Sequence, residues 1–136
     1  MYRILLPVDD DAKRARAQAD FVADLPGIDD IEVVVTHTLT DEEVGAPDEL
    51  RNVDRVDTVR LVRDRLEDRG LDVELAEARH PPADGILEIA AEFDIDHIAM
   101  STQRRSPAGK ALFGSVAQTV LLDADVPVTI VTTDDE

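Results

Sequence analysis

Short apolar runs alternate with amphipathic stretches along this chain. Arg3–Val8 (RILLPV) is almost continuously apolar, the mark of a strand buried on both faces. Asp9-Asp10-Asp11 follows, carboxylates suited to a helix N-cap and first turn. Ala15, Ala19, Val22 and Leu25 then recur at helical spacing, with Phe21 beside them, until Pro26-Gly27 stops the helix. Ile31–Thr38 (IEVVVTHT) is β-branched and predicts a second strand. Thr40–Glu49, with its acids, Gly45 and Pro47, predicts a surface loop.

A long helix is predicted from about Asn52 to Arg69, with Val56, Val59, Val62 and Leu66 as its buried stripe and Gly70 as the residue just past its end. Leu71–Ala76 (LDVELA) alternates and predicts a third strand, broken by His80-Pro81-Pro82. The next helix buries Ile86, Ile89, Ala90 and Phe93. His97–Met100 (HIAM) predicts a fourth strand, Gly114–Leu122 a helix and Val126–Thr132 (VPVTIVT) a fifth strand. Asp134-Asp135-Glu136 is a short acidic end.

The order is βαβαβαβαβ within one domain, residues 1–136. Strands separated by helices pair in parallel through right-handed crossovers, so the predicted fold is an open five-stranded α/β sheet with helices on both faces. Ligands of such sheets sit beyond the strand C-termini, where the strand order reverses. Val8-Asp9 and Met100-Ser101, the ends of strands one and four, are expected to flank that crevice.

Composition narrows the chemistry. With no cysteine, disulfides, thiolate metal sites and thiol catalysis are excluded. The three histidines lack metal-ligand spacing, so neither a metal site nor a catalytic residue is expected. His37 is expected to be a packed strand-end residue. No apolar run reaches the ~20 residues that span a bilayer, and the start carries no signal-peptide pattern, which makes the expected location cytoplasmic. A net charge of −17 disfavours nucleic acid and anionic membranes as partners. Only Lys13 and Lys110 are lysine; every other basic residue apart from histidine is arginine. Scattered acids with few lysines resemble proteins of salt-loving organisms, whose carboxylates stay hydrated in concentrated salt.

The stretch STQRRSPAGKALFGSVAQTV, residues 101–120, carries the candidate binding chemistry. A Gly-Ser pair at a helix start offers free N–H groups and the positive end of a dipole to an anion. Gly114 lets the backbone come close to a ligand, and the Ser115 hydroxyl can cap the helix or touch phosphate. No G-x-x-x-x-G-K-[ST] sequence is present, which excludes a Walker-type phosphate loop.

The run LFGSVAQTVLLDADVPVTIV, the opening RILLPVDD and the second strand VVVTHT together resemble the universal stress protein family over nearly the whole chain. The resemblance implies a Rossmann-like sheet of order 3-2-1-4-5 and adenine-nucleotide binding, ATP with Mg²⁺ included, by a sensor or switch with little or no catalysis. ATP-binding members carry G-x2-G-x9-G-[ST] after strand four. Here the spacing holds, but Ser101 and Arg104 stand at the first two glycine positions. The resemblance places Pro7, Val8 and Asp9 at the strand-one end, with the Asp near the adenine end of the nucleotide. It places Thr38 where main-chain atoms contact adenine, and Ser101, Arg104, Gly114, Ser115 and Val116 around ribose and phosphates. Arg104, with Arg105 and Lys110 nearby, offers guanidinium charge in place of backbone cradling.

Two other readings accompany this one. The family commonly dimerises through the final strand, which here is Val126–Thr132, so a homodimeric stress-response partner that binds no nucleotide is the alternative. RILLPVDDD with EARHPPADG also looks like a receiver domain. That family's phosphoacceptor position is Glu77 here, and no lysine follows Lys110, so two of its chemical requirements fail.

Overall fold

A computed structural model describes residues 1–38, 56–103 and 114–133. Five parallel strands, β1 (Tyr2–Val8), β2 (Ile31–His37), β3 (Asp72–Ala76), β4 (His97–Gln103) and β5 (Val128–Thr133), form one sheet in the order β3-β2-β1-β4-β5. Between them lie α1 (Ala12–Ala23), α2 (Asp57–Glu67), α3 (Pro82–Glu92) and α4 (Ser115–Asp123). A short 3₁₀ turn, Ile28–Asp30, leads into β2.

The apolar run of β1 is explained by its central position. Ile4, Leu6 and Val8 pack with Ala15, Ala19 and Val22 of α1 and with Val59, Val62 and Leu66 of α2. Leu5 faces the other way, toward Ile86 and Ile89 of α3 and Ala117 and Val120 of α4. From Ile4 to Val8, where both faces are covered, no position is left for a solvated side chain. Each such aliphatic residue contributes roughly 1.5–3 kcal/mol by leaving water.

Local signals set the helix ends. Asp11 caps α1, its carboxylate accepting the Arg14 N–H at 2.9 Å. Gly70, at φ 86°, closes α2 as expected: its N–H donates to the Glu67 carbonyl and the Leu71 N–H to that of Leu66, the paired bonds of a Schellman end. Asp94, at φ 53°, closes α3 with the same pattern, although it is not glycine.

Three boundaries differ from expectation. β4 continues past Met100 to Gln103 because Ser101, Thr102 and Gln103 pair with Val131, Thr132 and Thr133 of β5. β5 starts at Val128, two residues after the predicted start, just beyond Pro127, which has no N–H to give to a ladder. The described part of α2 begins at Asp57, while Asn52 and the loop Thr40–Glu49 lie outside the described residues.

Candidate functional site

The sheet opens at its topological switch point for a local reason. β1 pairs with β2 along its full length, from Tyr2 to Val8, but with β4 only at Ile4↔His97 and Leu5↔Ile98. In a parallel ladder alternate residues turn their main-chain groups to one neighbour. The Arg3 carbonyl accepts the Asp96 N–H, so Arg3, Leu5 and Pro7 are the β1 residues that face β4. Pro7 has no N–H, and the ladder stops there. Gln18, on α1 and fully buried, takes over: its side-chain amide donates to the Pro7 carbonyl at 2.8 Å and to the Ala99 carbonyl at 3.0 Å.

Helical periodicity passes over Gln18, because a lone glutamine between Ala15 and Ala19 reads as a surface position. The signal that finds it is Pro7 in a central strand, which leaves a carbonyl on each strand needing a donor. Gln18→Leu preserves bulk but strips both donors, so we expect a loss of roughly 1–3 kcal/mol, the usual cost of stranding buried polar groups. Urea unfolding measures it; an unchanged midpoint would contradict the assignment.

Beyond this point a cleft of about 140 Å³ lies between the diverging strands. Pro7, Asp9, Arg14 and Thr38 form one wall. Met100, Ser101 and Thr102 of β4 form another, and Gly114, Val116 and Ala117 at the start of α4 form the third. Six of the residues singled out from the sequence thus meet around one opening: Pro7, Asp9, Thr38, Ser101, Gly114 and Val116. Val8 does not; its side chain is in the core, and its carbonyl accepts the Thr38 N–H at 2.8 Å. Ser115 is exposed as the first residue of α4 and is not among the lining residues. Arg104 lies outside the described residues, as do Arg105 and Lys110.

Two details of the walls differ from expectation. Asp9 is not the helix cap. Its carboxylate accepts the Asp11 N–H at 2.9 Å and the Arg14 Nε–H at 2.8 Å, and its own carbonyl accepts the Thr58 hydroxyl at 2.6 Å. Arg14 thereby becomes a cleft residue that the sequence reading missed, because polar positions near a helix start normally face solvent. At α4 the cap is Gly114 and not Ser115. Gly114 is extended (φ −70°, ψ 167°) and, being glycine, has no side chain with which to cap the helix. A Cβ built on Gly114 meets no described atom within 4 Å. The start of α4 lines the cleft, where helix-dipole charge favours an anion.

The histidines stand apart from this site. His37 is buried at the end of β2. His97 lies at the opposite end of the sheet, hydrogen-bonded to the hydroxyls of Tyr2 and Thr129, and burial pushes its imidazole pKa down. Among the described residues no three histidine or carboxylate side chains come together as a metal-holding group, and no helix is long and apolar enough to cross a membrane.

A profile of the universal stress protein family matches residues 1–132. The chain belongs to that family. The receiver-like reading is thereby set aside. No curated protein matches the sequence. Among solved universal stress proteins, one from Archaeoglobus fulgidus is 28% identical, with 96% of this chain and 98% of that chain covered and a TM-score of 0.71. Another from Archaeoglobus fulgidus, solved in complex with dAMP, is 24% identical over 96% and 98% of the two chains, TM-score 0.66. A universal stress protein family protein from Arabidopsis thaliana with AMP bound is 10% identical over 99% and 93%, TM-score 0.70. At these last two identities the likeness is one of fold: the same five-stranded parallel sheet carries the cleft.

Proposed function

We propose that this universal stress protein binds an adenine nucleotide in the cleft between β1, β4 and α4, as a cytoplasmic sensor or switch without appreciable catalysis. The observation that carries the reading is the start of α4, which lines the cleft through Gly114, Val116 and Ala117 and whose N-cap, Gly114, has no described atom within 4 Å of where a Cβ would stand. A phosphate group suits that end. Solved universal stress proteins holding dAMP and AMP support the choice of ligand. The Thr38 N–H is engaged by Val8, so the Thr38 carbonyl is the main-chain atom offered to an adenine amino group. Ser101, partly exposed within β4, would meet a ribose, and Val116 lines the same cleft.

The cleft is smaller than the ~300–1,000 Å³ of pockets that enclose a ligand, so a bound nucleotide would keep part of its surface in water. ATP is included in the proposal, with Mg²⁺ carried on its phosphates. The described residues do not fit a protein-held Mg²⁺, since Asp9 is committed to Asp11 and Arg14. Mass spectrometry of the purified, denatured protein should release an adenine nucleotide, and calorimetric titration with AMP and with ATP·Mg²⁺ should give saturable binding. No released nucleotide together with flat titrations would overturn the reading.

The proposed assembly is a homodimer through β5, which is an edge of the sheet and carries Val128, Ile130 and Val131. Unpaired edges of this kind invite a second strand. Sedimentation of the protein alone tests it, and a monomer at micromolar concentration would refute it.

The acidic surface supports a salt-adapted protein. At −17 net charge, repulsion among carboxylates is screened within ~3 Å at 1 M salt but acts over ~30 Å at 0.01 M. The melting temperature should rise between dilute buffer and multimolar KCl. Equal values would contradict the halophilic reading.

A further inference from the structure

We propose that a second pocket, at the end of the sheet opposite the nucleotide cleft, binds an aliphatic ammonium ion. No lining residue is shared between the two openings.

The pocket measures about 290 Å³, against about 140 Å³ for the cleft. Its apolar lining comes from Leu87 and Ala90 of α3, Ile95 and Ile98 at the entry to β4, and Val126 ahead of β5. Three exposed aspartates supply its charge. Asp94 ends α3 in the left-handed conformation, Asp123 is the last residue of α4, and Asp125 follows closely. Among the described residues no lysine, arginine or histidine lines the pocket.

Helix electrostatics add to this charge. α3 and α4 both bring their C-terminal ends here, where the macrodipole is negative. A cation in the last turn favours such an end, yet neither helix carries one. Asp123 stands there instead, with the unfavourable sign for its helix. Elsewhere on the helices carboxylates are answered by arginine: Asp20 by Arg65, Glu88 and Glu92 by Arg79. Among the described residues no hydrogen bond or ion pair engages the carboxylates of Asp94, Asp123 or Asp125.

An apolar cavity beside uncompensated negative charge selects for two properties at once. An alkyl chain is stabilised by leaving water in the cavity. An ammonium group at the mouth meets the carboxylates and both helix ends while staying partly hydrated. A carboxylate or phosphate is repelled, and a neutral alcohol gains only the apolar share.

Calorimetric titration of the whole protein with n-hexylammonium chloride tests this. Saturable binding at millimolar concentration or below is expected, with hexanol and hexanoate weaker by about tenfold or more. Shortening the chain from hexyl to butyl should weaken binding about fourfold per methylene, the effect of one CH₂ leaving water. The double variant Asp123→Asn, Asp125→Asn should bind about tenfold more weakly. Ala91→Leu adds bulk at an exposed lining position with no change in net charge, and should weaken binding at least as much. Circular dichroism checks that each variant folds. Methyl NMR of the wild type, which needs no variant, should place the ligand-induced shifts on Leu87, Ile95, Ile98 and Val126. Absence of saturation would overturn the site, as would shifts confined to other residues. Equal affinity for hexanol would show that charge plays no part. Ethylammonium binding as tightly as hexylammonium, or folded variants that match the wild type, would reduce the effect to diffuse counterions around an acidic surface.

Discussion

Gly114→Val should abolish tight nucleotide binding while leaving the domain folded. The residue is exposed and extended at φ −70° and ψ 167°, a conformation that any residue adopts, so valine introduces no backbone strain. A Cβ there meets no described atom within 4 Å. Gly114 lines the cleft, so a branched side chain there is expected to crowd the amides that would hold phosphate. Pushing an anion even slightly away from those amides forfeits charge-assisted hydrogen bonds, each worth roughly 1.5–3 kcal/mol. A loss of two such bonds weakens binding by at least a hundredfold at 1.4 kcal/mol per factor of ten. Calorimetry reads the affinity and differential scanning calorimetry the stability. Unaltered binding by a folded Gly114→Val protein would show that the ligand does not approach α4.

Gly85→Ala should do the reverse, damaging the fold at a place far from any ligand. In an isolated helix alanine is about 1 kcal/mol better than glycine, so propensity alone predicts a more stable protein. Packing in α3 predicts the opposite. A Cβ on Gly85 would lie 2.4 Å from the Arg79 carbonyl oxygen, 2.8 Å from its carbon and 2.8 Å from the Arg79 Cβ. Two of those atoms are backbone, in the segment that turns from β3 into α3, and cannot swing aside as a side-chain tip would. Gly85 is itself buried, and its N–H donates to the Pro81 carbonyl at 2.8 Å, so the first turn of the helix is tied to that segment. Overpacking of this kind costs roughly 1–3 kcal/mol or more, enough to outweigh the propensity gain. At a few degrees per kcal/mol, the expected fall in melting temperature is about 5–10 °C. A variant that melts at or above the wild-type temperature would mean that α3 can shift freely.

The contrast between these two glycines shows where sequence reasoning reaches. Gly114 was legible, because a glycine before serine at a helix start has a recognisable anion-binding use. Gly85 was not, since a glycine inside the apolar pattern Ile86, Ile89 and Ala90 announces nothing about a carbonyl six residues earlier. The cleft divides in the same way. Pro7, Asp9, Thr38, Ser101, Gly114 and Val116 were singled out along the chain and converge in space. Arg14 and Gln18 were missed for one shared reason: each is a polar residue on α1 whose role depends on β1. Arg14 is turned into the cleft by Asp9, and Gln18 is drawn inward by two carbonyls that Pro7 and the strand divergence leave without ladder partners.

By itself, the amino-acid sequence determined the alternation of elements, the doubly covered sheet and the position of the crevice. Those follow from hydrophobic periodicity, helix-ending glycines and the handedness of crossovers, all of which act over a few residues or by general rule. Only the tertiary structure decided how far β4 runs, which aspartate caps α1, and that Arg14 lines the cleft. Each of those outcomes is a competition for hydrogen-bond partners between segments distant along the chain. The winner is set by which donor and acceptor the packed sheet brings within 3 Å.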